Sequence, residues 1–276
     1  MFARAYVEIT NICNLSCSFC HGHHRAPRQL TKEEFSHILT QLQGQTRYIY
    51  YHLMGEPLTH PLLPAFIKMA GAEGFYSMVT TNGTLLSKHG AALLDSGVHK
   101  VSISLHSFEK GEGEKHRQYL EQVADFAAAA AARGIIICLR LWNRGFDANT
   151  GVDAEAFLRQ RLPGDWKENT RGFRVRDKLF LEWGNRFGWP DADNPIQDGP
   201  PVCYGMREQF GILSDGTVVP CCLDAEGVIC LGNVFETPLA EILASPKARA
   251  IGDGFRNGKA VEELCRRCPY ARKKQH

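Results

Sequence analysis

Charge of either sign is in no surplus in this chain: 32 lysines and arginines face 30 aspartates and glutamates, a formal net charge of +2 over 276 residues. Nucleic acids and anionic membrane surfaces are gripped through a basic excess, so neither is expected as a partner. Long hydrophobic runs are missing too. The longest, 127–141, is broken by Arg133 and Gly134, and nothing approaches the roughly 20 apolar residues of a membrane-crossing helix. The N-terminus enters a strand pattern at once, without the charged start and apolar core of a secretory signal. The expected location is therefore cytoplasmic. No internal repeat is visible, and the alanine-rich stretch 127–132 is biased only toward helix. The basic residues 272–274 make a short tail, expected to be solvated.

Against these absences the chain has ten cysteines, at 13, 17 and 20, at 138, and at 203, 221, 222, 230, 265 and 268. Disulfides are rare in the reducing cytosol, so clustered cysteines there point to metal binding or catalysis. Hydrophobic residues at 44% and charged residues at 22% are ordinary for a globular chain. The length suffices for one large domain and a small appendage.

Up to about residue 176, β-like runs alternate with helical patterns. Residues 5–10 alternate as a strand, and 30–42 read as a helix starting at Thr31, with Glu33 and Glu34 in its first turn. Further strands are expected at 48–53, 76–81, 100–105, 135–141 and 172–176, with helices at 62–72, 88–96, 113–133 and 153–161. This α/β alternation predicts a parallel sheet with right-handed crossovers. Six units make a partial (β/α)6 barrel, short of the full eight, with its chemistry on the loops after the strands. Beyond that point the pattern changes. A loop at 190–201, a hairpin pairing 209–213 with 217–220, a helix near 238–244 and six cysteines predict a small metal-stapled unit. The expected domains are 1–176 and 177–276.

Cys13, Cys17 and Cys20 follow the first strand by three residues. Thiolates are soft ligands for iron–sulfur clusters and for zinc. Three of them on a four-iron cluster leave one iron open to a ligand. The alternative is a Cys3His zinc site using His21, His23 or His24. The Cys-x3-Cys-x2-Cys spacing on this loop, with Phe19 before the last cysteine, resembles the signature of the radical S-adenosylmethionine (SAM) superfamily. Met54-Gly55-Glu56-Pro57, after the second strand, is similar to that family's Gly-Gly-Glu-Pro motif, with methionine in place of the first glycine. The resemblance implies a SAM-binding [4Fe–4S] cluster on Cys13, Cys17 and Cys20. It also implies that Gly55, Glu56 and Pro57 hold the SAM amino group, and that Asn82 and Ser104 fill pocket positions. Arg117 matches a family arginine that pairs with the SAM carboxylate, a group arginine grips through two parallel hydrogen bonds. Each helper also has a plain reading: Glu56 as a loop acid, Asn82 as a turn residue, Ser104 as a sheet-end hydroxyl, Arg117 as a surface arginine.

Cys203, Cys221, Cys265 and Cys268 form a second set, enough thiolates for a closed cluster or a structural zinc. With Gly216 five residues before Cys221, the layout resembles the SPASM/Twitch extension of radical SAM enzymes, in its shorter Twitch-like form. That resemblance implies one auxiliary [4Fe–4S] cluster, and a layout similar to the radical SAM dehydrogenases of aminoglycoside biosynthesis. Cys222 and Cys230 are spare thiols, either buried and inert like Cys138 or able to return a hydrogen atom to a substrate radical.

The implied activity is reductive cleavage of SAM to a 5′-deoxyadenosyl radical that takes a substrate hydrogen, with flavodoxin or ferredoxin as electron donor. The leading expectation is oxidation or crosslinking of a peptide or protein side chain. Dehydrogenation of a small polar metabolite and peptide epimerisation are the alternatives; a zinc-binding interaction protein is the non-enzyme one. An activase for a glycyl-radical enzyme is disfavoured because ferredoxin-like cysteine runs are missing. The first strand starts near residue 5, so a peptide substrate is expected to need direct recognition or a partner protein. The aromatic stretch 181–190 is a candidate for the substrate pocket, with core packing as the other reading.

Overall fold

The computed structural model describes residues 1–108, 113–144 and 150–272; the tail residues 273 and 274 lie outside them. Strands and helices alternate as the pattern predicts: β1 (Arg4–Val7), α1 (Lys32–Leu42), β2 (Tyr48–Tyr50), α2 (Leu63–Ala72), β3 (Tyr76–Thr81), α3 (Leu86–Leu94), β4 (Lys100–Ser104), α4 (Glu114–Ala132), β5 (Ile136–Arg144) and α5 (Thr150–Arg161). The start of α1 is fixed by a capping box. The Thr31 hydroxyl accepts from the Glu34 N–H at 3.2 Å, and the Glu34 carboxylate accepts from the Thr31 N–H at 2.9 Å. Its Phe35, Ile38, Leu39 and Leu42 are buried in the core.

The five strands pair in parallel in chain order. The sixth barrel strand differs from expectation. Three further strands follow: β6 (Lys167–Asn169), β7 (Gly172–Arg176) and β8 (Leu179–Asn185). The expected strand at 172–176 is present as β7, but it pairs antiparallel with both β6 and β8. The strand that joins β5 in parallel is β8, in register from Ile137 opposite Leu179 to Leu141 opposite Trp183. The first half of the expected aromatic loop is thus sheet, with Leu179 and Leu181 fully buried, and the parallel sheet runs on to residue 185.

The C-terminal part contains β9 (Gln209–Ile212), β10 (Thr217–Val219), β11 (Gly232–Asn233), α6 (Leu239–Leu243), α7 (Pro246–Arg256) and α8 (Glu263–Arg266). The expected hairpin is β9–β10. Gly216 in its turn has φ +89°, and a Cβ there would overlap Asn233 and Phe235, so only glycine fits. β9 lies parallel to β1, from Arg4 opposite Gln209 to Val7 opposite Ile212. The C-terminal part therefore extends the barrel sheet at its first strand.

Strand side chains alternate between faces, and here the faces differ in kind. Val7, Ile49, Val101, Ile103, Leu139 and Leu181 pack outward beneath the helices, almost wholly buried. The inward face is polar. Register places Ser104, Arg140 and Glu182 side by side, with Thr80, Ser102, Cys138 and Phe180 in the row below. Tyr6, Tyr50, Met78 and Lys100 form the row beneath. Among the described residues no helix is long and apolar enough to cross a membrane.

Candidate functional site

The loop after β1 is closed at its base by Asn11. Its side chain donates to the Ala26 carbonyl and accepts from the Arg28 N–H, both at 2.8 Å. Cys13 and Cys20 are exposed and Cys17 half-buried. The Cys20 N–H donates to the Cys17 carbonyl at 3.1 Å, and Cys13 Sγ accepts from the Leu15 N–H at 3.4 Å. Partial burial raises the Cys13 pKa, and the nearby Glu56 and Cys20 add to the rise. The three histidines are drawn elsewhere. His21 Nε2 lies 3.1 Å from Asp191, His23 Nε2 2.9 Å from the Asn11 carbonyl, and His24 Nδ1 3.1 Å from Glu226. Among the described residues no three His, Cys, Asp or Glu side chains converge on one point as a single-metal site requires.

The segment after β2 is pressed against this loop. Gly55 has φ +76°, and a Cβ on it would overlap the Thr10 carbonyl oxygen. A larger residue is excluded by that close approach as well as by conformation. Glu56 is buried, and its two oxygens accept from the N–H groups of Leu58 at 3.0 Å and Asn82 at 2.7 Å. Burial raises its pKa, and those two hydrogen bonds pull it back. Its carboxylate thus ties the β2 and β3 loops together. Pro57 opens a short 3-10 turn for which Glu56 is the cap. Asn82 donates to Asn14 at 3.0 Å and accepts from the Thr84 N–H at 2.9 Å. Ser104 ends β4 and opens onto the cavity described below. Arg117 is not brought there. It lies exposed on α4, its guanidinium held by Glu114 at 2.8–3.1 Å.

Sequence reasoning missed one buried node. Glu8, next after β1, is fully buried, and its two oxygens take both arms of Arg25 at 2.8 and 2.7 Å. The same carboxylate accepts from Met54 N–H, from Ser214 N–H and from the Ser214 hydroxyl. Arg25 Nε donates to the Ala225 carbonyl at 2.8 Å and Arg28 Nε to the Ser214 carbonyl at 2.6 Å. One carboxylate therefore joins the cysteine loop, the β2 loop and the C-terminal part. The available signal was a lone acid inside the apolar alternation of residues 5–9.

The second thiol set comes together. Burial lifts Cys221 well above the usual thiol range, and Cys222, Cys203 and Cys265 add to the rise as neighbours. Cys265 is raised by burial and then by Cys203 and Cys268, and Cys203 by burial with Cys268 nearby. Cys203, Cys221 and Cys265 are half-buried and Cys268 is buried. The first three resist ionising beside one another unless a cationic centre binds them, and iron–sulfur chemistry supplies one. The donor set fits such a group.

A cavity of about 670 Å³ opens in the barrel, reached from the cysteine loop by Phe19; Cys13, Cys17, Cys20, Glu56 and Asn82 are not among its lining residues. Phe19, Ser104 and His106 line one part, and Cys203, Cys221, Cys265 and Cys268 another. The expected aromatic wall is present in Phe187, Trp189 and Pro190, and Trp189 Nε1 donates to the Phe19 carbonyl at 2.9 Å. Of the spare thiols, Cys222 lines the cavity, with a pKa pushed up to about 11 by burial. Cys230 is exposed and is not part of that wall, and Cys138 is buried at the sheet.

Comparison with known proteins follows the same division. The radical SAM superfamily pattern matches residues 7–143, and that of SPASM, an iron-sulfur cluster-binding domain, matches 203–269. A GTP 3′,8-cyclase of Pseudomonas fluorescens is 30% identical over 96% of this chain and 88% of its own length. A PqqA peptide cyclase of Streptomyces rochei is 29% identical over 95% and 80%. With a GTP 3′,8-cyclase of Chlorobaculum tepidum, 34% identical over 43% of the chain, the match spans only 38% of that relative's length. Among solved structures, BtrN in complex with AdoMet and 2-DOIA superimposes with a TM-score of 0.64 at 19% identity, covering 97% of this chain and 93% of that one. Streptococcus suis SuiB bound to precursor peptide SuiA gives 0.61 at 14% identity, covering 97% and 71%. These matches bring with them a SAM-binding [4Fe–4S] cluster and auxiliary iron–sulfur binding. The chain belongs to the radical SAM superfamily, in its SPASM/Twitch subgroup.

Proposed function

We propose that this enzyme carries out a net two-electron oxidation, most directly the oxidation or crosslinking of a peptide or protein side chain. The observation that carries this reading is the shared cavity: the auxiliary thiols line the same space as Phe19 and Ser104. When bound, the first cluster and SAM supply a 5′-deoxyadenosyl radical able to remove hydrogen from an unreactive C–H bond. Cys13, Cys17 and Cys20 hold that cluster. Gly55 and Glu56 set the loop against which SAM lies, and Asn82, Ser104 and Phe19 shape its pocket. Cys203, Cys221, Cys265 and Cys268 hold a single auxiliary [4Fe–4S] cluster, the Twitch-like arrangement. The substrate loses a hydrogen atom, then an electron to the auxiliary side and a proton to solvent. Reduced flavodoxin or ferredoxin, in the cytoplasm, supplies the electron for SAM cleavage.

The PqqA peptide cyclase relative supports the peptide substrate. A second reading, dehydrogenation of a small polar metabolite, is favoured by cavity size. About 670 Å³ lies within the range of single-ligand pockets, and SAM takes part of it.

Cys268→Ala tests the auxiliary role. The variant should lose thermal stability, because its cluster joins distant segments. It should still form 5′-deoxyadenosine slowly while substrate turnover is lost. Unchanged turnover in this variant would remove the auxiliary site from the reaction.

A further inference from the structure

The barrel interior carries more positive charge than the wall of a neutral ligand needs. Lys100 of β4 and Arg140 of β5 both line the cavity, with Glu182 of β8 beside Arg140 in register. The Arg140 guanidinium lies over the Trp142 ring, 4.6 Å from its centre, which fixes its plane. Its Nε is buried without a hydrogen-bond partner, as is Nδ1 of His52, another cavity residue. Buried donors are nearly always satisfied by protein, water or ligand. Burial and the charge on Arg140 hold the His52 pKa down to about 3, so His52 stays neutral and adds a polar ring without a charge.

Of the cavity's carboxylates, Asp224 and Glu208 are engaged away from Arg140, and Glu182 lies beside it. Asp224 accepts from the Val228 and Ile229 N–H groups at 2.9 and 2.8 Å. Glu208 lies close to Arg4, and Glu182 takes the Cys138 thiol. Lys100 and Arg140 both act on that thiol, from the rows below and above it on the same inward face. Arg171 and Arg186 add positive charge to the same cavity.

We propose that Arg140 and Lys100, with neutral His52, form a subsite for an anionic group, a carboxylate or a phosphate, on the substrate. This rests on the reading that the cavity is where substrate meets SAM, and it narrows the substrate to one bearing such a group near its reacting carbon. Arg140 shares a register row with Ser104, so the held group sits at the level of the SAM pocket. An arginine fixed on an aromatic ring presents a preorganised, two-pronged donor to such a group.

Anaerobic calorimetry on the reconstituted holoenzyme saturated with SAM tests this, with succinate, inorganic phosphate and neutral succinamide as probes. Succinate or phosphate should bind and succinamide should not. Preference for succinate assigns a carboxylate substrate, and preference for phosphate a phosphorylated one. Arg140→Met should weaken the anion about tenfold to a hundredfold. Arg140→Lys should keep part of the affinity, because the charge remains and the fork is lost. Lys100→Met repeats the test from the neighbouring strand. Binding of succinamide equal to succinate, no anion binding, or full affinity in both Met variants would overturn the proposal. So would a parallel rise in the SAM dissociation constant of Arg140→Met, which would assign Arg140 to SAM instead. No probe requires turnover, so failure of the radical reaction would not obscure the result.

Discussion

Replacing Cys13, Cys17 and Cys20 together with alanine is expected to abolish SAM cleavage and leave about half of the iron of the reconstituted protein. The reasoning is geometric. The three cysteines sit on one loop after β1, closed by Asn11 and apart from the C-terminal thiols, which form their own group. Two separable donor sets should fill separately. Iron analysis should fall from about eight atoms per chain to about four. Electron paramagnetic resonance of the reduced protein should lose the signal that SAM perturbs. Loss of all the iron would show that the two sets do not fill independently.

Glu8→Ala should be the most damaging substitution that touches no thiol. It leaves Arg25, 13% exposed, without its buried partner, and it unties Met54 and Ser214 at once. Breaking a buried pair from one side costs about 3–5 kcal/mol, which lowers the melting temperature by roughly 2–4 °C per kcal/mol in a chain near this size. Glu8→Gln should lose less, since the amide can still accept from Ser214. Glu114→Ala, which breaks an exposed pair with Arg117, should leave the melting temperature unchanged. Because Glu8 ties the cysteine loop to the C-terminal part, Glu8→Ala should also lower retention of the first cluster on gel filtration. Retention equal to the parent's in a destabilised Glu8→Ala protein would mean that the node supports the fold alone.

The family was legible because ligand chemistry is written in residue type and spacing. The thiols of Cys203, Cys221, Cys265 and Cys268 were recognisable although 65 residues separate the first from the last, and the fold brings them together. The misplaced sixth strand has a local cause. The turn between β7 and β8 puts Lys178 at φ +61°, a conformation that normally advertises itself through glycine or asparagine. Without that signal the hairpin was invisible, and the Trp183 region read as loop. Arg117 was assigned by its match to a family arginine, but a match does not say which way a helix face turns, and Glu114 holds it outward. Glu56 was expected at the SAM amino group; its oxygens each accept one backbone N–H, from Leu58 and Asn82, a structural role that the motif alone did not reveal. Arg140, Lys100 and Glu8 are polar residues in strands, and whether such a residue faces solvent or a barrel interior depends on topology, which one strand's alternation does not contain.

The direct test of the oxidative account is the hydrogen balance of one turnover in deuterated water. A net oxidation predicts a product lighter by two hydrogen atoms, one SAM consumed per product, and no solvent deuterium at carbon. Clean incorporation of a single deuterium at an unchanged oxidation level, abolished by loss of the cavity thiol Cys222, would contradict it and make the reaction an epimerisation.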